Sequence, residues 1–252
     1  MSIPHARVKL GKRRPRYDRR TLQFTKYLSQ SLPPAPDEVS WVTQVSDWPM
    51  YLNDQIGDCV IAAAAHMIEQ WTVYAGNPKR IGDSDVLSGY EAVGGYVPGD
   101  PSTDNGCDML TALNYWRHVG FGGHKILGYM AFNWLNLAQM RLAIQLFGNV
   151  FMGLALPSSA QGQDVWTVTQ GGTASPIGMP GSWGGHCVPF DASSLKSHTS
   201  VSWANLLKLS LNFGRDYIEE GYVVLSEDFI EANGVSASGF KLDQLLKDLR
   251  GF

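Results

Sequence analysis

The segment NDQIGDC, residues 53–59, ends on a thiol and runs straight into the apolar stretch VIAAAA. A cysteine at the first turn of a helix faces unpaired backbone N–H groups and the positive end of the helix dipole. Those conditions favour a thiolate, the form of cysteine that attacks carbonyl carbon. The same N–H groups can hold the oxyanion of a tetrahedral intermediate, with a side-chain amide as second donor. Asn53 and Gln55 both offer that amide, and Gly57 leaves room for a substrate beside the sulfur. A thiolate needs a base. Among six histidines, His186 follows Gly184-Gly185 at the start of an apolar run, where glycines admit a ligand and a strand would fix the imidazole. His66 falls inside the apolar run and reads as a satisfied core residue, whereas His118, His124 and His198 read as surface positions. Taken alone, Cys59 would more often be a small buried residue; the glycine-flanked histidine turns the reading towards chemistry.

The elements that must hold these groups follow from periodicity. Residues 59–75 predict a helix apolar on nearly every side, placed in the centre of a domain and stopped by Gly76-Asn77-Pro78. Helices are also expected from Asp83 or Ser84 and over CDMLTALNYWRHVG, where Gly120 ends the pattern. The chain then alternates: HKILGYMAF a strand, NLAQMRLAIQLFG a helix, NVFMGLALP a strand. A long Gly/Ser/Pro-rich loop precedes His186, and such loops are more often functional than idle. HCVPFDA, SVSWANL and EEGYVVLS predict strands, with a helix over LLKLSLNFGRDY between the last two. FKLDQLLKDLRGF predicts an amphipathic helix docking on the body. Helices first and antiparallel strands later define an α+β domain.

Charge is unevenly spread. Residues 1–26 hold nine Lys or Arg against the single acid Asp18, and the remainder holds 11 basic residues against 22 acids. An arm with this excess, led by Arg13, Arg14, Arg16, Arg19 and Arg20, is expected to contact an acidic neighbour in an oligomer or particle, or nucleic acid. Pro33, Pro34 and Pro36 predict a stiff linker, TLQFTKY an extended stretch, and Trp41 and Trp48 anchors onto the body. The expected organisation is an arm and linker over 1–40, a body over 41–230 and a docking helix over 231–252. No apolar stretch is long enough to span a bilayer and no secretory signal is visible, so a cytoplasmic product without membrane contact is expected. Three scattered cysteines predict free thiols. Cys59, His186 and Cys187 make a poor metal set, because neighbours in a strand point to opposite faces; no metal or cofactor is implied.

The order of an amide, Gly57-Asp58-Cys59 before an apolar helix, Asn105-Gly106-Cys107 before another, Gly184-Gly185-His186, Ser202-Trp203 and EEGYVVLS resembles the papain-like cysteine peptidases. That resemblance covers about Trp48 to Ser226. It implies a papain-like α+β fold, with a central buried N-terminal helix packed on an antiparallel sheet, and hydrolysis of a peptide or amide bond. It further implies Cys59 as nucleophile, His186 as base and Asn53 as oxyanion amide, with Gln55 in reserve. Gly184, Gly185 and Trp203 would form the site wall. The family's Asn, two residues before the Trp, is replaced by Val201, which cannot orient an imidazole. Asn205 and Asp191 are nearby substitutes, although alternation from His186 turns Asp191 to the opposite face. The pro-segment and disulfide pattern of papain-type enzymes are missing. In its wording, LGKRRPRYDRRTLQF with VSDWPMYLNDQIGDC and SWGGH, the chain also resembles uncharacterised papain-like proteins encoded by phages. That likeness implies a viral origin, and a non-catalytic virion protein is the alternative function.

Overall fold

The structure is a computed structural model and describes residues 8–29, 32–233 and 240–250. The first residues of the arm, two residues of the linker and the join between body and tail lie outside the described residues. Strand β1 (Glu38–Ser40) is followed by helices α1 (Cys59–Tyr74), α2 (Asp83–Gly94) and α3 (Met109–His118). Next come β2 (Gly128–Ala131), α4 (Leu137–Phe147), β3 (Val150–Leu156), β4 (Val165–Trp166) and β5 (Gly184–Ser194). The chain continues through β6 (Ser197–Ser202), β7 (Asn205–Ser210), α5 (Leu211–Tyr217), β8 (Ile218–Leu225), α6 (Glu227–Asn233) and α7 (Leu242–Leu249). The sheet runs β2-β8-β3-β5-β6-β7-β4, with β1 also paired to β5; only β4 on β7 is parallel. The fold is the papain-like α+β fold, with α1 laid against this sheet.

Helix α1 carries no charge in its first or last turn and buries its side chains from Cys59 to Thr72. The Ala62–Ala65 run has no branched side chain to hold β5 away, so the helix can pack closely on the strand that carries His186. Burying each Val, Ile or Met of α1 contributes roughly 1.5–3 kcal/mol. Trp71 anchors the far end by donating its indole N–H to the Phe147 carbonyl at 2.7 Å. The Trp41 indole likewise donates to the Ile144 carbonyl at 2.9 Å, and Trp48 is buried.

Three expectations are corrected. TLQFTKY is not extended throughout: Phe24–Tyr27 form a 3-10 turn that buries Phe24 and Tyr27 against Phe240. LLKLSLNFGRDY is not one helix, because its first half alternates. Leu207 and Leu209 turn inward and Leu206 and Lys208 outward as β7 pairs with β6, and only Leu211–Tyr217 are helical. His198 is not a surface residue. It is buried on β6, bonded through Nδ1 to the Ser193 hydroxyl at 3.0 Å and stacked on Phe190. The amphipathic tail docks as α7, burying Leu245 and Leu249 while Asp248 accepts hydrogen bonds from Lys26 and Tyr27.

Candidate active site

Cys59 stands at the first residue of α1 and His186 on β5, and both line one small cavity with Met50, Asn53, His66 and Trp203. Its volume of about 10 Å³ is room for at most one water. His186 is buried and stacks flat on Trp203, with ring centroids 4.4 Å apart at 17°. Trp203 owes that pose to the β6–β7 hairpin, whose two turn residues, Trp203 and Ala204, both take positive φ (47° and 60°). Two non-glycine residues in this region cost of order 1 kcal/mol each. The strained turn is retained where it lays an indole over the imidazole. Trp166, delivered by the long loop, stands edge-on to Trp203.

The group that touches the imidazole is one that sequence reasoning missed. The Ser202 hydroxyl meets His186 Nε2 at 2.7 Å, while Val201 packs into a small apolar cluster with Val45 and Trp48. Serine beside Trp203 was visible in VSW, but only the hairpin shows which of the two neighbours faces the ring. Neither proposed substitute reaches it. Asn205 donates its amide to the Trp203 carbonyl at 2.7 Å. Asp191 is buried beside a register shift of β5, and burial pushes its carboxyl well above the usual range. His186 Nδ1 has no hydrogen-bond partner among the described residues, so no bond joins it to Cys59. Asn53 lines the cavity, with its amide donating to the Ile56 carbonyl (3.3 Å) and to Asp58 Oδ1 (3.0 Å). Gln55 is exposed and lies outside the cavity wall. His66 bonds the Pro49 carbonyl through Nε2 at 2.8 Å, as a satisfied core residue would, yet it also faces this cavity.

The expected thiolate is corrected. Burial pushes the Cys59 thiol up to about 12, although N–H groups of Cys187 and Gly11 oppose the rise. Burial also pulls His186 down to about 3. Both groups are therefore neutral near pH 7.

The cover that buries them is the arm itself. Lys9 N–H donates to the Asn53 carbonyl at 2.9 Å and the Trp203 indole to the Lys9 carbonyl at 3.3 Å. Cys107 N–H donates to the Gly11 carbonyl, Lys12 N–H to the Gly185 carbonyl and Arg13 N–H to the Cys107 carbonyl, at 2.9, 3.0 and 3.0 Å. Gly11 passes between Gly57 and Gly106. A Cβ on Gly11 would stand 1.7 Å from the Gly57 oxygen, and one on Gly106 1.8 Å from the Gly11 oxygen. The two walls are tied to each other through Asp104, which accepts from Gly57 N–H (2.8 Å) and from the Tyr90 hydroxyl (2.7 Å); that hydroxyl accepts in turn from Gly106 N–H at 2.7 Å. A Cβ on Gly184 would stand 2.8 Å from Leu10 Cδ1.

Beyond the cleft the other arm residues separate. Arg13 donates to the Asn105 carbonyl at 3.0 Å, Arg16 to the Thr111 hydroxyl at 2.9 Å, and Arg20 pairs with Asp18 at 2.6 Å. Arg14 and Arg19 are exposed. Among the described residues no cluster of three or more His, Cys, Asp or Glu is placed to hold a metal ion, and no helix is long and apolar enough to cross a membrane.

A thiol at a helix start, an imidazole on the facing strand and an amide beside them share one cavity on the papain-like fold. Solved structures agree on that fold. The chain is similar to xylellain, a cysteine protease from Xylella fastidiosa, with a TM-score of 0.67 and 11% identity over 87% of this chain and 97% of the other. It is also similar to a procathepsin B from Trypanosoma congolense (TM-score 0.61, 11% identity, 88% of each chain). A digestive procathepsin L 3 from the Tenebrio molitor larval midgut matches with TM-score 0.58 and 15% identity, over 88% and 77% of the two chains. At these identities the likeness is one of fold. No family model matches the chain, and no curated protein does.

Proposed function

We infer that the protein is a papain-like thiol hydrolase acting on a peptide or amide bond, held at rest by its own arm. The observation that carries this reading is the shared cavity of Cys59 and His186, with an unpartnered imidazole nitrogen at the strand facing the helix start. With the arm withdrawn, water reaches both groups. The desolvation that keeps them neutral falls away, and the helix dipole again favours a thiolate beside an imidazolium. Cys59 then attacks the carbonyl carbon, Asn53 offers an N–H to the oxyanion, and the imidazolium returns its proton to the leaving amine. Ser202 holds the ring in place of the missing asparagine. The test is hydrolysis of a mixed peptide library by the full chain after tryptic cutting of the exposed arm arginines, compared with Cys59→Ser. Cys59-dependent turnover is expected; alkylation of Cys59 without turnover by the cut chain would overturn the catalytic reading.

A second reading rests on Val201 and on the fit of the arm: a non-catalytic component of a virus particle, in which the papain-like body grips an arm. The exposed Arg14 and Arg19 would then meet an assembly neighbour or nucleic acid. Assembly unchanged by Arg14→Glu with Arg19→Glu would remove that role.

A further inference from the structure

Lys12 is buried along the arm's path, its side chain 0% exposed. Its ammonium has three acceptors at hand: Glu219 Oε1 at 2.5 Å, Glu220 Oε1 at 3.0 Å and the Arg13 carbonyl at 2.9 Å. The Arg13 carbonyl and Glu219 accept hydrogen bonds from it, and Glu220 Oε1 stands at ion-pair distance. A planar guanidinium with five donors in a fixed fork would leave some unpaired in so compact a nest. The walls of the slot are glycine. A Cβ on Gly153, at the register shift between β3 and β8, would stand 2.2 Å from Lys12 Cε, and one on Gly185 2.1 Å from the Lys12 oxygen. Glycine within a strand weakens it and marks a close approach of other chain. Gly57, Gly106, Gly153 and Gly185 come from four separate segments, and all four front the same dipeptide. The Tyr222 hydroxyl donates to Glu220 Oε2 at 3.0 Å and fixes the inner carboxylate.

We propose that this slot is a lysine-reading subsite, taking an extended peptide strand that carries glycine followed by lysine, with Leu10-Gly11-Lys12 as its occupant in cis. The three backbone hydrogen bonds to Cys107 and Gly185 accept any sequence in the right extended shape. Selection comes from two places only. The residue before the lysine has no room for a Cβ, and the lysine must neutralise a carboxylate that would otherwise be buried and unpaired. The inference rests on the closed-cleft reading above, but not on turnover. A tethered arm outcompetes a free peptide at ordinary concentrations, so the arm must first be displaced.

The experiment uses the full chain carrying Gly11→Val, and in parallel the native full chain cut by trypsin at its exposed arm arginines, so that one preparation remains if the other misfolds. Iodoacetamide adducts on Cys59 are followed with a synthetic VKLGKRRPR peptide added in trans. Displacement is expected to speed Cys59 alkylation at least about 100-fold, and the peptide to restore protection saturably. Replacing the peptide's lysine by glutamine, or its glycine by valine, is expected to raise the protecting concentration at least about 30-fold. Glu219→Gln with Glu220→Gln should erase the preference for lysine. Equal protection by the lysine and glutamine peptides overturns the proposal, and so does a Cys59 that stays unreactive in both preparations. Failure of hydrolysis with protection intact would strike only the catalytic reading.

Discussion

At the Lys12 end of the cleft a buried ammonium donates to the Arg13 carbonyl and Glu219 and lies within ion-pair reach of Glu220. At the Cys59 end the imidazole keeps one nitrogen unpaired, and the thiol and imidazole are both neutral. Burial acts on both ends with opposite results. Desolvation opposes the charge on Lys12, yet Glu220 and Glu219 more than offset it and hold its pKa above the ordinary value. At Cys59 the opposing N–H groups of Cys187 and Gly11 and the pull of Lys12 are too weak, so desolvation wins. Lys12 and Cys59 thus differ in charge state because the lysine has two carboxylates in contact, whereas the thiol has only N–H groups and the weaker pull of Lys12 against its desolvation.

The largest effect that would break this contrast is on reactivity. A thiol moved from 9.0 to about 12 holds roughly a thousandfold less thiolate at neutral pH, equivalent to about 4 kcal/mol. Cys59 alkylation in the intact chain should therefore rise about tenfold per pH unit from pH 7 towards 12. A plateau near pH 8.5 would mean that the arm does not bury the sulfur. Next, Lys12→Glu sets a third carboxylate between Glu219 and Glu220 and should cost about 3–5 kcal/mol, read as a drop in the urea midpoint. An unchanged midpoint would show that the ion cluster contributes nothing.

Gly106→Ala should cost about 2–3 kcal/mol, since the added methyl strikes the Gly11 oxygen. Gly76→Ala is the control, with similar positive φ and nothing within 4 Å, and should cost only about 1 kcal/mol. Equal losses would mean that backbone strain, not contact with the arm, governs the wall. Ser202→Ala leaves His186 Nε2 buried and unpaired and should cost about 1–2 kcal/mol in denaturant unfolding. The smallest effect is a gain: Ala204→Gly relieves one left-handed residue and should raise stability by up to about 1 kcal/mol, with the His186–Trp203 stack unchanged in a crystal structure.

Cys59 and His186 were legible because glycines and an apolar run mark the start of each element in a single line of sequence. The helix over 59–75 was legible for the same reason: an apolar surface on every side has few places to go except the centre. Lys12 was not legible. In the sequence it is one basic residue among nine in an arm that reads as solvated charge, and nothing local separates it from Arg13 or Arg14. Glu219 and Glu220 were in view as the head of a strand, yet their meaning depends on a residue more than two hundred positions away. The helix expected over LLKLSLNFGRDY failed because short apolar runs serve both periods, and pairing with β6 decided between them. Ser202 was missed because the family pattern directs attention to the Val201 position.

The sequence by itself determined the groups available and their immediate backbones: a thiol at a helix start, an imidazole at a strand start, a basic arm and an α+β order of elements. Local periodicity and glycine placement are enough for that, since they act over a few residues. The tertiary structure decided which of those groups are charged and what stands between them. It laid Leu10, Gly11 and Lys12 between four glycines, excluded water from Cys59 and His186, and gave one lysine two carboxylates. Solvation and counter-charge are set by residues distant in the chain, and no reading of neighbours along it contains them.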